Sequence, residues 1–473
     1  MGSDTIHHEA REEHEGVIAQ LRDIVGADYV LTDEGSRTLY GTDALKRGHP
    51  ADAVVIPAHA QEISAIARLC HETRTPLVPR GSGSGYSGGA VPVRGGIVLS
   101  LERLNRILDI DEDNLLAVVE PNVITGDLQD AVERVGLFYP PDPASLRQSA
   151  IGGNVAECAG GPRAFKYGVT KQYVLGLDAV LPTGEFIRTG GRVVKNVVGY
   201  DLTQLLVGSE GTLAILTKIT LRLIPKPPAA VTLRATFPSV RHAVNAVSEL
   251  IRARVVPAAL ELVDRESLDA VAAFLGGARL APPDTGALLL IELDGLPPLI
   301  HEEAVRVEVA CRGAGATELL QARDVADRQE LWRVRRELSP ALRTIAPVKF
   351  NHDIVVPKGR IPDLFTLIGE LRAHFRMPIP CFGHVGDGNI HVNIMVGTSD
   401  DERRRAREAE EMLFRGVIAL GGSISGEHGI GFSKARYLGL ELTPETIALM
   451  KRIKHAFDPH GILNPGKIFP DDV

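Results

Sequence analysis

The chain has 473 residues, too many for one small binding module and, at roughly 100 to 200 residues per domain, enough for two or three packed units. Hydrophobic residues make up 44% and charged residues 24%, which excludes a broadly disordered chain, and a formal net charge of −8 gives no overall attraction to nucleic acid or an anionic membrane. Cys70, Cys158, Cys311 and Cys381 stand far apart without C-x-x-C spacing, which argues against a disulfide framework or a zinc knot and suits a reducing compartment.

The N-terminus is acidic where a secretory signal is basic and then apolar, and no run of about 18 apolar residues occurs. A cytoplasmic protein without a membrane span is the expectation, with residues 1–48 as an N-terminal helical segment. Residues 53–56 and 77–78 read as strands around a helix whose apolar positions Ile63, Ile66, Ala67 and Cys70 share one face. Leu128, Ala131, Val132 and Val135 mark a second helix, and 97–99, 116–119 and 213–224 read as strands. Proline-rich 224–228 interrupts this rhythm and predicts a domain boundary. Strand 231–236, helix 239–253, strands near 257–263 and 287–293, a helix near 299–312 and a strand near 316–321 then give the order βαββαβ, a ferredoxin-like unit.

Three glycine-rich segments fall in the first half: 79–96, 150–168 and 207–215. Residues without Cβ let successive N–H groups close around an anion or a flat ligand, so one long cofactor suits all three, while the bland reading of any single segment is a ligand-free surface loop. Gly83-x-Gly85-x-x-Gly88 matches a dinucleotide fingerprint, but the segment runs into Pro92 and a strand instead of opening a helix, which disfavours a nicotinamide site. Residues 461–467 approach a P-loop, yet Ile468 stands where a hydroxyl is required and Pro465 lies inside the loop, so nucleoside triphosphate hydrolysis is rejected.

The motifs PRGSGSGYSGG, PPDPAS, IGGNVAECAGG, YGVT, GYDLTQLLVGSEGTLAILT, GHVGDGNIHVNI, SGEHGIG and ILNPGK occur in one order along residues 40 to 470. In this the chain resembles the FAD-linked D-2-hydroxyacid dehydrogenases (D-lactate, glycolate and D-2-hydroxyglutarate enzymes) of the vanillyl-alcohol-oxidase/p-cresol-methylhydroxylase superfamily. The resemblance implies an α+β fold: a two-lobed FAD-binding domain of the p-cresol-methylhydroxylase type over 49–228, an α+β cap with an antiparallel, ferredoxin-like sheet over 229–425, and a C-terminal segment, 426–473, returning to the FAD domain. It implies that Pro79, Arg80, Gly81, Ser82, Gly83, Ser84 and Ser87 form the pyrophosphate loop. Pro141, Asp142, Ser145, Ile151, Gly152, Asn154, Gly160, Gly161, Tyr167 and Gly168 would wall the pyrophosphate and isoalloxazine. Glu210, Gly211 and Ile215 would lie toward the adenosine, with Asn464 reaching the flavin. FAD held noncovalently is expected, and Cys158 departs from the family where Asn is common.

His384 and His391 flank Gly386-Asp387-Gly388, whose Asp-Gly centre predicts a hairpin, and His391 and Asn393 share a face by the period of two. Two convergent imidazoles suit a divalent metal; a polar hairpin whose histidines cap the turn is the alternative. Glu427-His428 sits between glycines, and the bland reading there is a solvated loop. The resemblance makes His384, His391 and Glu427 metal ligands, zinc first and manganese or iron open, and makes His428 the general base. It also assigns Arg335 to the substrate carboxylate, with Ser339 and Lys349 as softer matches for substrate contact; Asn393, on the His391 face, is expected to help orient the site.

The expected reaction is oxidation of a D-2-hydroxyacid to the 2-oxoacid, with hydride passing to flavin N5. No nucleic-acid partner is expected, electrons leave to a separate acceptor protein or soluble carrier, and a homodimer is left open. The rival readings are a metal-dependent hydrolase without flavin and a non-catalytic flavoprotein subunit of an electron-transfer complex.

Overall fold

The structure is a computed structural model and describes residues 15–470; residues 1–14 of the expected N-terminal helical segment and 471–473 of the C-terminal one lie outside the described residues. The chain divides into two compact units, one built from residues up to 159 with 169–226 and 428 onward, the other from 160–168 and 227–427.

Among the described residues the first unit holds two main sheets and a two-stranded pair, Leu137–Phe138 with Ile224–Pro225. In one, Ala53–Val55, Ile97–Ser100 and Leu77–Arg80 run parallel in that order, with Val30–Leu31 antiparallel at the edge. The helix Ala60–Thr73 makes the crossover between the strands at 53 and 77, and its Ile63, Ile66, Ala67 and Cys70 face is buried as the spacing predicts. It stops at Arg74, which takes the left-handed conformation at φ 55°. Ile63, Ile66, Leu77, Ile97 and Leu99 are fully buried in the shared core, each contributing about 1.5–3 kcal/mol. Ile462 and Leu463 join the same core, because the chain near its end lies along Leu77: the Leu77 N–H donates to Ile462 O at 2.8 Å and the Asn464 N–H to Leu77 O at 2.8 Å.

The second sheet of this unit is antiparallel throughout, in the order Ile107–Asp111, Leu116–Val119, Ile215–Arg222, Val174–Val180, Phe186–Gly190. Two sheets with their helices realise the expected two-lobed α+β domain.

The other unit is one seven-stranded antiparallel sheet in the order Glu318–Gln321, Ala229–Phe237, Ala287–Gly295, Ala259–Asp264, Cys381–His384, Asn389–Val396, Val348–Val355. Its first four strands and the helices Val240–Arg252 and Pro297–Gly313 match the ferredoxin-like expectation, with one further helix, Arg265–Phe274, inserted after the second strand. The sheet is wider than that unit, because the hairpin about Asp387-Gly388 and the strand Val348–Val355 extend it on the side that carries the histidines. Among the described residues no helix is long and apolar enough to cross a membrane.

Candidate functional site

The strand Cys381–His384 and the strand Asn389–Val396 pair with Phe382 opposite His391, so the alternation of a pleated sheet sends both imidazoles to one face. Their rings lie 5.3 Å apart, nearly perpendicular at 84°. Glu427 closes the group, with Oε1 3.6 Å from His384 Nε2 and 3.6 Å from His391 Nε2. Two donors bound to one tetrahedral ion at about 2.1 Å stand about 3.4 Å apart, close to each of these two spacings. Both histidines are buried and Glu427 partly so, and one ligand atom from each of the three lies within 4.8 Å of the others, a grouping that could hold a metal ion.

Two carboxylates that sequence reading missed hold this group in place. Glu261 is fully buried on the strand Ala259–Asp264, opposite His384 in the register. His384 Nδ1 donates to its Oε1 at 2.5 Å, and Arg335 Nε donates to its Oε2 at 2.6 Å. Burial alone would raise the Glu261 pKa, but the His384 and Arg335 charges hold it down to about 2. Burial alone would likewise lower the His384 pKa, yet the Glu261 and Glu427 carboxylates push it well above the usual imidazole value.

The second carboxylate is Asp353, fully buried opposite His391. Its Oδ2 accepts the Glu427 N–H at 2.7 Å and the Gly426 N–H at 3.0 Å, pinning the loop that presents Glu427. A signal for both existed in the chain: an acid set among apolar residues, as in ALELV and DIVV, must find a partner when the strand is buried.

Arg335 sits on the helix Val325–Ala341, whose start is capped by Asp324. Its guanidinium lies 4.8 Å from the Phe382 ring centre, and Phe382 in turn lies 5.4 Å from the His391 ring. With Nε taken by Glu261, the guanidinium keeps its two outer nitrogens for an anion. One turn along the same helix, Ser339 Oγ accepts from Lys349 Nζ at 3.5 Å. Burial, with Arg343 beside it, lowers the Lys349 pKa. The Asn393 side chain is spent inside the sheet: Oδ1 accepts from Asn351 at 2.7 Å and Nδ2 donates to Pro380 O at 3.2 Å.

In the first unit the strand Leu77–Arg80 delivers the glycine-rich loop, which forms bends and turns until the strand Ile97–Ser100 begins. Arg80 is anchored to the backbone of an earlier segment: its Nη1 donates to Thr42 O at 2.6 Å and Tyr40 O at 3.2 Å. Gly83, at φ +69°, passes directly over that guanidinium, and a Cβ there would fall 2.1 Å from Arg80 Nη2. Ser82 Oγ donates to Ser84 Oγ at 3.2 Å, and buried Ser87 reaches Glu157 at 3.5 Å.

The expected wall residues lie on short elements nearby. Pro141 O accepts from Gln129 at 2.9 Å, Ser145 O accepts the Gln148 N–H at 2.7 Å, and Asp142 lies between them in the chain. Ile151, Gly152 and Asn154 belong to the helix Ile151–Glu157, with Asn154 Nδ2 donating to Thr125 Oγ1 at 2.6 Å. That helix ends on Cys158, an L-residue at φ 57°. Gly160, Gly161, Tyr167 and Gly168 belong instead to the second unit, where the Tyr167 hydroxyl donates to Asp294 at 2.7 Å.

Glu210 and Asn464 tie the C-terminal segment to this unit. The buried Glu210 carboxylate accepts the N–H groups of Ile430 at 2.8 Å and Gly431 at 2.6 Å, and Ile215 opens the strand Ile215–Arg222 a few residues beyond it and Gly211. Asn464 Nδ2 donates to Gly89 O at 2.9 Å and Glu210 O at 2.8 Å. Its Oδ1 and the Oδ1 of Asn122, which lies beside Gly81, are buried acceptors without a hydrogen-bond donor. A ligand bearing N–H groups satisfies such oxygens, and FAD carries them on both its adenine and its ring system, so the residues fit that cofactor. His428, the residue after Glu427, stacks on Tyr86 of the glycine-rich loop with ring centres 5.6 Å apart.

Residues 226–468 match the family described as FAD linked oxidases, C-terminal domain, and residues 51–190 match FAD binding domain. The chain is 42% identical to glycolate oxidase subunit GlcD of Bacillus subtilis over 96% of its own length and 97% of the relative's. The chain belongs to the FAD-linked D-2-hydroxyacid dehydrogenase family. A D-lactate dehydrogenase of Anaerostipes hadrus is 34% identical over 96% of this family member and 97% of that protein. Among solved structures, p-cresol methylhydroxylase with substrate bound superposes with a TM-score of 0.82 over 97% of both chains at 18% identity, which speaks to the fold alone. The expected p-cresol-methylhydroxylase type of FAD domain is therefore the one found, and the protein is an FAD-linked oxidoreductase acting on CH–OH donors.

Proposed function

We propose that the protein oxidises a small D-2-hydroxyacid, D-lactate, glycolate or D-2-hydroxyglutarate, to the 2-oxoacid, with noncovalent FAD and a divalent cation, zinc first, as its resident groups. The observation that carries this reading is a single peptide bond. Glu427 completes the three-donor group, and the next residue, His428, packs on the glycine-rich loop. A cation ligand and a proton acceptor are thereby consecutive residues of the chain.

When bound, FAD supplies a hydride acceptor and the cation acidifies a coordinated hydroxyl. His384, His391 and Glu427 would hold the cation, which would supply Lewis-acid chemistry to a substrate hydroxyl beside them. His428 takes the hydroxyl proton on its imidazole nitrogen as general base. Arg335 pairs with the substrate carboxylate through its two outer nitrogens, a two-point contact that fixes orientation. Lys349 and Ser339 offer a cation and a hydroxyl to a second polar group, the feature that would favour a dicarboxylate, and Asn393 keeps the His391 strand in register. The loop from Pro79 to Ser87 and the residues grouped with it in sequence hold FAD.

The electrons leave to a separate protein or soluble carrier, in keeping with the word subunit in the name of the Bacillus subtilis relative. The test is anaerobic bleaching of the bound flavin by D- and L-2-hydroxyacids. Bleaching by a D-hydroxyacid, its suppression by a chelator, and its loss in His428→Ala with FAD still bound support the proposal. Normal bleaching in His428→Ala removes the base, and indifference to chelator removes the cation.

A further inference from the structure

We infer that Glu261 is a positioning residue that ties the cation site to the carboxylate-binding arginine, so that hold on the metal and grip on the substrate rise and fall together. The inference rests on the function proposed above and concerns a residue to which that function gives no part.

Glu261 divides its carboxylate. One oxygen accepts from His384 Nδ1 at 2.5 Å and the other from Arg335 Nε at 2.6 Å. The first bond has a chemical consequence. A carboxylate can only accept, so Nδ1 carries a proton, and Nε2, the atom that faces Glu427 at 3.6 Å, is the nitrogen left to give its lone pair to a cation in place of a proton. Outer carboxylates of this kind orient a metal-binding imidazole and raise its basicity.

The second bond fixes the plane of the guanidinium, which is also held over Phe382 at 4.8 Å. With Nε occupied, an incoming carboxylate is left the end-on pair of nitrogens and only one approach. Because Glu261 is wholly buried, neither bond competes with water, and removing the carboxylate leaves two donors in a closed site.

Other carboxylates near the group do not bridge it in this way. Asp353 binds loop amides, and Asp387 accepts the Asn389 N–H at 3.2 Å within the hairpin turn. A carboxylate placed only to neutralise a buried histidine needs no second partner from a helix whose pairing point is 74 residues away in sequence.

The experiment uses the FAD-loaded enzyme and Glu261→Gln, with Glu261→Asp as the milder companion. Zinc affinity is read by competition with a chelating indicator, and kcat and KM for D-lactate are read at saturating zinc. The expected result is a 10- to 100-fold loss of zinc affinity in Glu261→Gln, the scale found for outer partners of metal ligands. Saturating zinc should restore kcat to within about threefold while KM stays raised, because the arginine plane remains unfixed. Glu261→Asp should lie between the two, and it carries the test alone if the glutamine variant does not fold.

Unchanged zinc affinity in a folded Glu261→Gln overturns the inference while leaving the function standing. Full recovery of both kcat and KM in excess zinc overturns the link to Arg335. A wild-type protein that binds no divalent cation overturns this inference together with the proposed cation.

Discussion

Replacing Asp353 by alanine separates the loop that carries Glu427 from the sheet that carries its partner histidines. The cost follows from the contacts. The Glu427 N–H donates to Asp353 Oδ2 at 2.7 Å, whereas the Gly426 N–H is shared between that oxygen at 3.0 Å and the Asp353 main-chain oxygen at 2.8 Å. One full charge-assisted bond at about 1.5–3 kcal/mol and one shared bond of smaller weight give a loss of about 3 kcal/mol. Asp353→Asn should be far milder, since one amide oxygen placed at the Oδ2 position keeps both contacts and the NH2 then faces Ser425 Oγ, 3.4 Å from Oδ1. Urea unfolding followed by circular dichroism measures the stability, and zinc retained after dialysis reports the position of Glu427. Asp353→Ala should lose both and Asp353→Asn should keep most of both. Equal losses in the two variants would show that the net charge of Asp353, not its hydrogen bonds to the loop, is what matters.

Cys158→Asn should stabilise the protein by about 0.5–1 kcal/mol, because an L-residue at φ 57° pays about 1–2 kcal/mol that asparagine partly avoids; denaturant unfolding of the two proteins side by side checks it. Asp43 gives a pH signature. Burial pushes its carboxyl from 3.8 to about 6 against the pull of the Leu45 and Gly88 amides, so the folded state keeps its proton after the unfolded state has lost it. Its contribution is therefore fully present below pH 3.8 and falls away as pH rises to about 6, a change on the order of 3 kcal/mol, and Asp43→Asn should flatten urea stability across that window.

The legible parts of this protein were those written in local pattern. The 3.6-residue spacing of Ile63, Ile66, Ala67 and Cys70 and the Asp387-Gly388 turn each report on a few neighbouring residues, and the helix and hairpin stand where those patterns put them. The three-donor group was legible for a different reason: its residue types fit one chemistry, and the ordered motifs around them fit one family. What stayed hidden were partnerships over long separations. Glu261 meets His384 across 123 residues, and nothing in either strand's own pattern names the other. Asp353 meets His391 only through the register of two strands, which neither strand's own sequence states. The resemblance puts Arg80 in the cofactor loop, and what the loop's own residues do not name is the anchor of the Arg80 side chain. Its guanidinium bonds to the backbone at Tyr40 and Thr42, an outcome fixed by residues some 40 positions earlier.

The strip of backbone at 462–464 that lies along Leu77 bears on how the molecule comes into being. A ribosome releases Leu77 long before Leu463, so the parallel sheet spends most of translation with a bare margin exposed to other nascent chains. Shortened forms that lack those closing residues should gather in inclusion bodies even though every strand of that sheet is intact.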